Sequence, residues 1–292
     1  MKKMKYGILA LLACSTMTLT GCFNLDEEPY SEITEESFIP TEQDAAALMA
    51  PAYGDLTYIF AWQGLFDTQE EPGDIIITPT RPNGWDDGGT YRRMHQHEWD
   101  NQQWQPWNCY ITPLGAINTV NRVKAQLDND ELPVGDLKEP MIAELRALRA
   151  LWYSMLLDTH GNVPIVDTWT DELPKQATRQ EVYNFVVEEL TEALPYLSEA
   201  NDGTTYGRMN KWAALALLTR VYLNAEVYTG TAQWQKAAEY AKKVMNSAYK
   251  LHTTPKNGWS AYQMLFMGDN GENGAQCEAI LPLLQDGLTT TS

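Results

Sequence analysis

Two sets of residues in this chain have types and spacing that could do chemistry. The first is Cys22, preceded by Leu19, Thr20 and Gly21. A cysteine thiolate is a nucleophile that can carry a lipid, and small residues before it are those of a signal cleavage site. The second set is Trp85, Trp99 and Trp104, interleaved with Arg81, Asp86 and Asn101. Indole rings offer flat apolar faces, and Asn, Asp and Arg offer planar hydrogen-bonding groups. Together they suit a ligand with a flat C–H face and a rim of hydroxyls, as a sugar has. Trp85 and Trp99, with Asp86, Arg81 and Asn101 as polar neighbours, rank highest, and Trp104 is a weaker platform. The competing reading is that these tryptophans plug their loop into a core.

Other chemistry finds less support. His95-Gln96-His97-Glu98 offers metal-ligand types without the i, i+4 spacing of a helical zinc site, so surface histidines are the better reading. There is no phosphate-cradling loop, dinucleotide fingerprint or nucleophile elbow in the sequence. A glycosidase needs two carboxylates about 5–10 Å apart across a cleft. With 39 acids no motif singles out such a pair. The expectation is a chain that binds and does not catalyse, without metal or cofactor.

The elements that must position these residues begin with the amino terminus. Lys2, Lys3 and Lys5 precede an apolar run from Ile8 to Ala13, too short to span a bilayer and typical of a secretory signal. Residues 1–21 are therefore expected to be removed; Leu19-Thr20-Gly21-Cys22 resembles a bacterial lipobox, which implies that Cys22 carries the lipid, the competing reading being an ordinary cleavage site with a cysteine beside it by chance. Each buried lipid CH₂ contributes about 0.8 kcal/mol, and several acyl chains hold a protein on a membrane without crossing it. Those three lysines are the only charges before Asp26. The remaining 271 residues thus carry 18 bases against 39 acids, a formal charge of −21. That balance argues against nucleic acid and against adhesion to anionic lipid. Cys109 and Cys277 then remain of the four cysteines, so one disulfide is possible and a disulfide scaffold is not.

With 44% hydrophobic residues the mature chain can bury a sizeable core. Residues 22–40 read as an acidic, extended tether. Helical periodicity starts after Thr41, with a kink or break expected at Pro51. Residues 63–104 lose long-range period, and Ile75 to Ile77 form either a short strand or an anchored loop. A helix is expected over 106–127, with Ile111, Leu114, Ile117, Val120, Val123 and Leu127 on its inner face. The strongest helix covers 138–160, stopped by Gly161 and Pro164. Thr178 to Glu181 form a capping box, and a further helix pair covers 210–225 and 232–248. Trp152, Trp212 and Trp234 are read as core residues. Pairs of 30–40 residues have the size of tetratricopeptide units, without their strict consensus. The fold class is all-α, with stacked helix pairs and a long irregular Trp-rich region over residues 41–292.

Several blocks in this order resemble one family. They are the Cys22 block with Leu25 to Tyr30, the run Arg81 to Gly89, His97-Glu98-Trp99, Glu144 to Ala150 with Gly161 to Pro164, and Gly207-Arg208 with Trp234 to Ala238. The set is similar to SusD/RagB-like nutrient-uptake lipoproteins of the outer membrane. Members are about twice as long, so residues 22–292 look like the amino-terminal part. The resemblance implies a lipid-anchored protein facing the cell exterior. It would bind glycan and pass it to a SusC-like TonB-dependent transporter. A peptide ligand on the same scaffold, or a structural or adhesive surface role, are the alternatives.

Overall fold

The computed structural model describes residues 41–60, 62–132 and 134–285. The signal segment 1–21, Cys22, the acidic stretch 22–40 and the tail 286–292 lie outside the described residues. Helices α1 (Glu42–Phe60) and α2 (Leu65–Glu70) come first. After a loop and one 3-10 turn follow α3 (Thr90–His95), α4 (Trp104–Asp128) and α5 (Lys138–Thr159). Next are α6 (Arg179–Ala193), α7 (Lys211–Leu223), α8 (Ala225–Thr229), α9 (Trp234–Met245) and α10 (Ala261–Met264). Among the described residues there are no strands, only isolated bridges at Pro164–Gln176 and Lys256–Trp259. Ile75 and Ile77 are exposed loop residues.

The body is a stack in which α1 lies on α4, α4 on α5, α5 on α6, and α7 pairs with α9. Helix α5 is its centre. Leu145, Leu148, Trp152, Leu156 and Leu157 are fully buried, together with Ala147 and Ala150, whose small side chains let neighbouring helices approach. Its end is set chemically: Gly161 adopts φ 74°, and its amide reaches back to the Leu156 carbonyl at 2.9 Å. The Thr178–Glu181 capping box that starts α6 is formed in full.

Three expectations change. Of the kink or break expected at Pro51, the break does not occur: helix α1 runs through it. Pro51 and the preceding-turn residue Ala47 are both exposed, so water can take over the carbonyl that the missing N–H leaves. The inner face of α4 is rotated in its first half: Ile111 is exposed, while Asn108, Cys109, Thr112 and Pro113 are buried. Polar partners make that possible, as Asn108 Nδ2 donates to the Gln63 carbonyl at 3.0 Å. Among the tryptophans read as core, Trp152 is, Trp212 is half-buried with its Nε1 on the Glu199 carbonyl, and Trp234 is exposed at the start of α9. Trp234 opens α9, of which Ala237 alone is buried. Cys109 and Cys277 are both free thiols. Burial pushes the Cys109 thiol up to about 11, more than its contact with Thr68 lowers it, so it stays protonated and unreactive.

Charges bind the layers where apolar periodicity cannot. Arg149, 3% exposed, gives its guanidinium to Glu189 of α6, to Asn121 of α4 at 2.7 Å, and to the Asp167 carbonyl at 2.6 Å. Arg146 bridges Glu189 and Glu192 from the solvent side. A second pair is bidentate: Arg208 Nε and Nη2 reach Glu144 at 3.0 and 2.6 Å, and Glu144 also accepts from the Tyr53 hydroxyl. That pair ties α1 and α5 to the loop before α7.

Candidate ligand platform

Of the residues singled out for ligand binding, all but Trp104, which opens α4, sit on the irregular segment between α2 and α4, which is braced by the six-residue helix α3. They fall into two groups. In the first, the Arg81 amide donates to the Trp85 carbonyl at 2.9 Å, and the Gly84 amide to the Arg81 carbonyl at 3.0 Å, closing a tight turn. The turn sets the Arg81 guanidinium over the Trp85 ring, 5.6 Å from its centroid. Asp86 accepts from Thr80 Oγ1 at 2.5 Å and is approached by Arg92 at 3.4 Å. Trp85 is 40% exposed, and its ring leans on the buried Tyr91 ring, centroids 5.9 Å apart.

The second group lies where α3 ends and α4 begins. His97 takes a left-handed conformation, φ 58°, and its amide and that of Glu98 return to the carbonyls of Met94 and Arg93. This closure turns the chain so that Trp99 packs on the His97 ring at 5.5 Å. Asp100 caps the following turn by accepting from the Gln102 amide at 2.8 Å. Asn101 is exposed and accepts from Gln102 Nε2 at 3.1 Å. Trp104 is exposed in the first turn of α4. Among the described residues no ring contact joins Trp85 to Trp99 or Trp104.

What unites the groups is α3. Buried Gln103 uses its whole amide: Oε1 accepts from Arg93 Nε at 3.0 Å and from the Asp100 amide, and Nε2 donates to Thr90 Oγ1 at 2.9 Å. Arg93 also reaches the Gly88 carbonyl at 2.8 Å, so one arginine clamps both loops. Beneath the first group, buried Asp67 accepts from the Gln63 amide at 2.8 Å. Burial pushes its carboxyl up; the hydrogen bonds from Gln63 and Tyr91 oppose the shift, and neighbouring Glu71 adds to it. Among the described residues no group of three or more His, Cys, Asp or Glu side chains is placed to hold a metal ion.

Three aromatics of this surface were not singled out by sequence. Trp62 is 66% exposed after α1, and its indole N–H donates to the Tyr91 hydroxyl. Trp107 and Ile111 continue the exposed face of α4 begun by Trp104, at helical spacing. Tyr91 itself is the buried hub. The periodicity of 104, 107 and 111 was the one available signal, and it reads equally well as a core stripe. A separate cavity of 820 Å³ beside Met141, Leu197 and Tyr206 contains the Glu144–Arg208 pair, which is engaged in holding the helices together.

A helical stack thus carries a hydrogen-bonded surface segment on which several indoles are exposed. The chain belongs to the SusD-like family: residues 24–223 match the family described as "Starch-binding associating with outer membrane". It is 43% identical over 149 residues to the starch-binding protein SusD of Bacteroides thetaiotaomicron, which covers 51% of this chain and 26% of that protein. It is 27% identical over 256 residues to SusD-like protein P2 of Formosa agariphila, covering 85% of this chain and 47% of the relative. The chain thus spans at most about half the length of these curated relatives. Its fold matches a SusD-like protein from Bacteroides fragilis with TM-score 0.64 at 20% identity, over 85% of this chain and 46% of that one. A laminarin-binding SusD-like protein matches equally, TM-score 0.64 at 20% identity, over 81% and 50%. The all-helical, tetratricopeptide-like expectation therefore holds.

Proposed function

We propose that this chain is a cell-surface lipoprotein that binds glycan and delivers it to a SusC-like TonB-dependent transporter of the outer membrane. In this reading residues 1–21 are a signal, Cys22 carries the lipid, residues 22–40 are a tether and residues 41–292 form the binding body. Arg81, Trp85, Asp86, Trp99, Asn101 and Trp104 contact the glycan, and the protein holds its ligand without transforming it. The relatives named for starch and laminarin support the ligand class. No helix of the described residues is long and apolar enough to cross a membrane, which is compatible with a lipid anchor.

The observation that carries the reading is the set of indoles left open to solvent on loops that are fixed from below by Thr90, Tyr91 and Gln103. A platform held in place by its own hydrogen bonds avoids much of the ordering cost of binding. Partial cover of an indole gives less than full burial, so affinities from about 1 µM to 1 mM, about −8 to −4 kcal/mol, are expected per site. Native affinity gels containing soluble starch, laminarin or other polysaccharides test it. Retardation by at least one glycan is the expected result, and migration unchanged across a broad panel contradicts it.

A further inference from the structure

We propose that Trp62 is a further stacking platform of the glycan site, the second of a pair with Trp85, and that Tyr91 is the positioning residue that presets Trp62 and Trp85 together; this rests on the glycan-binding reading. Trp62 combines two properties that rarely coincide. It is 66% exposed, yet its polar edge is turned inward and satisfied by a hydroxyl on a side chain only 5% exposed. A surface indole that merely tolerates water would turn its N–H outward. One anchored by that edge holds its two apolar faces at a fixed angle to solvent.

The backbone next to it is pinned from both sides. Gln63 is held at φ 64°, its amide donates to Asp67 Oδ2 at 2.8 Å, and its carbonyl accepts from Asn108 Nδ2 at 3.0 Å. Left-handed backbone at a glutamine is a cost the surrounding bonds must offset. Here they fix the direction in which Trp62 leaves the α1–α2 turn. Tyr91 then acts at both ends. Its hydroxyl accepts from Trp62, and its ring face carries Trp85 at 5.9 Å, tilted by 32°. Two indoles, from segments 23 positions apart in sequence, are thus set one tyrosine side chain apart. An extended chain of sugar rings can meet both, whereas a single ring can meet only one.

The test compares the full chain with Trp62→Ala, Tyr91→Phe and the double variant, and with Trp85→Ala as reference, in gels of soluble starch and laminarin. Trp62→Ala should weaken binding more than about fivefold, as loss of a major contact does. Tyr91→Phe keeps the ring under Trp85 and removes only the hydroxyl, with its bonds to Trp62 and to Asp67, which holds the Gln63 amide beside Trp62, so it should weaken binding about threefold to tenfold. Its effect should fall below about twofold when Trp62 is already alanine, which a general structural defect would not do. Trp62→Phe, retaining a ring without the N–H, should match Tyr91→Phe. Far-ultraviolet circular dichroism should be unchanged throughout. If Trp85→Ala weakens retardation and Trp62→Ala does not, the second platform is overturned while the glycan reading stands. If Tyr91→Phe acts equally in both backgrounds, its positioning role is overturned. If the unmodified chain is retarded by no glycan, both readings fall.

Discussion

The helical stack from Trp104 to Met245 and the segment from Trp62 to Gln103 use buried polar groups in opposite ways. In the stack, Arg149 and Glu189 are almost wholly buried and every arm of the guanidinium has a partner. That network joins three helices and a loop at fixed spacing. In the segment buried polar groups serve a different end: Tyr91 fixes the outward-facing Trp62, while buried Gln103 and Thr90 join α3 to the loop that carries Trp99. Left-handed backbone is concentrated there too, at Gln63, Gly84, Asp87, Gly88, Gly89 and His97. The stack uses polarity to lock helices to one another. The segment uses it to hold tryptophans in water, which apolar packing alone would not do.

The sharpest way to break this contrast is to remove one member of the stack's network. Glu189→Ala leaves Arg149 buried without a carboxylate and should cost about 3–5 kcal/mol, read as a shifted urea midpoint. A cost near zero would mean that the layers are held by apolar packing alone. Next comes the same substitution in each region. Gly161→Ala places a Cβ at φ 74°, 2.5 Å from Arg179 Nε, and should lower global stability by about 1–2 kcal/mol. Gly89→Ala meets comparable strain, at φ 75° and 2.7 Å from an Arg92 nitrogen. Its effect should appear as faster amide exchange over residues 81–97 and weaker ligand binding, with a smaller shift of the global midpoint. Thr178→Ala removes the capping box of α6 and should cost about 1 kcal/mol in the same denaturation assay.

Acid sharpens the comparison further. The Asp67 carboxyl lies above its ordinary 3.8, chiefly through burial. Its contribution therefore favours the folded loop below that ordinary value and is lost as pH rises through the raised one. Glu181 lies below its ordinary 4.5, because the Thr178 amide and hydroxyl donate to it. Its contribution is present above 4.5 and is lost as pH falls through the lowered value. Amide exchange followed from about pH 6 down to about pH 3 should show the α6 start loosening while the turn at Gln63 tightens.

The two regions were also unequally legible in the sequence. In the stack, apolar spacing and caps placed α5, α7 and the start of α6 to within a residue or two, because side chains at i, i+3 and i+4 must face one core. What that spacing could not reveal is the Arg149–Glu189 pair, whose members are 40 residues apart. Nor could it reveal that Ile111 and Trp107 face outward, since an exposed apolar stripe has the same period as a buried one. In the segment, the residue types Arg81, Trp85, Asp86, Trp99 and Asn101 were visible as chemistry. Their grouping was not, because it depends on Tyr91 and Gln103 and on left-handed turns at non-glycine residues. Such bonds have no periodicity to detect. Trp62 escaped notice for the same reason, its partner being 29 positions away.

The most direct measurement is titration of the unmodified chain and of Trp85→Ala with soluble starch and laminarin oligosaccharides, with circular dichroism recorded on both. The account predicts that at least one glycan binds the unmodified chain, that Trp85→Ala weakens this at least about fivefold, and that the helical spectrum does not change. Equal affinity in the two proteins, or loss of helix in Trp85→Ala, would contradict it, since Trp85 would then be either a bystander or part of the core.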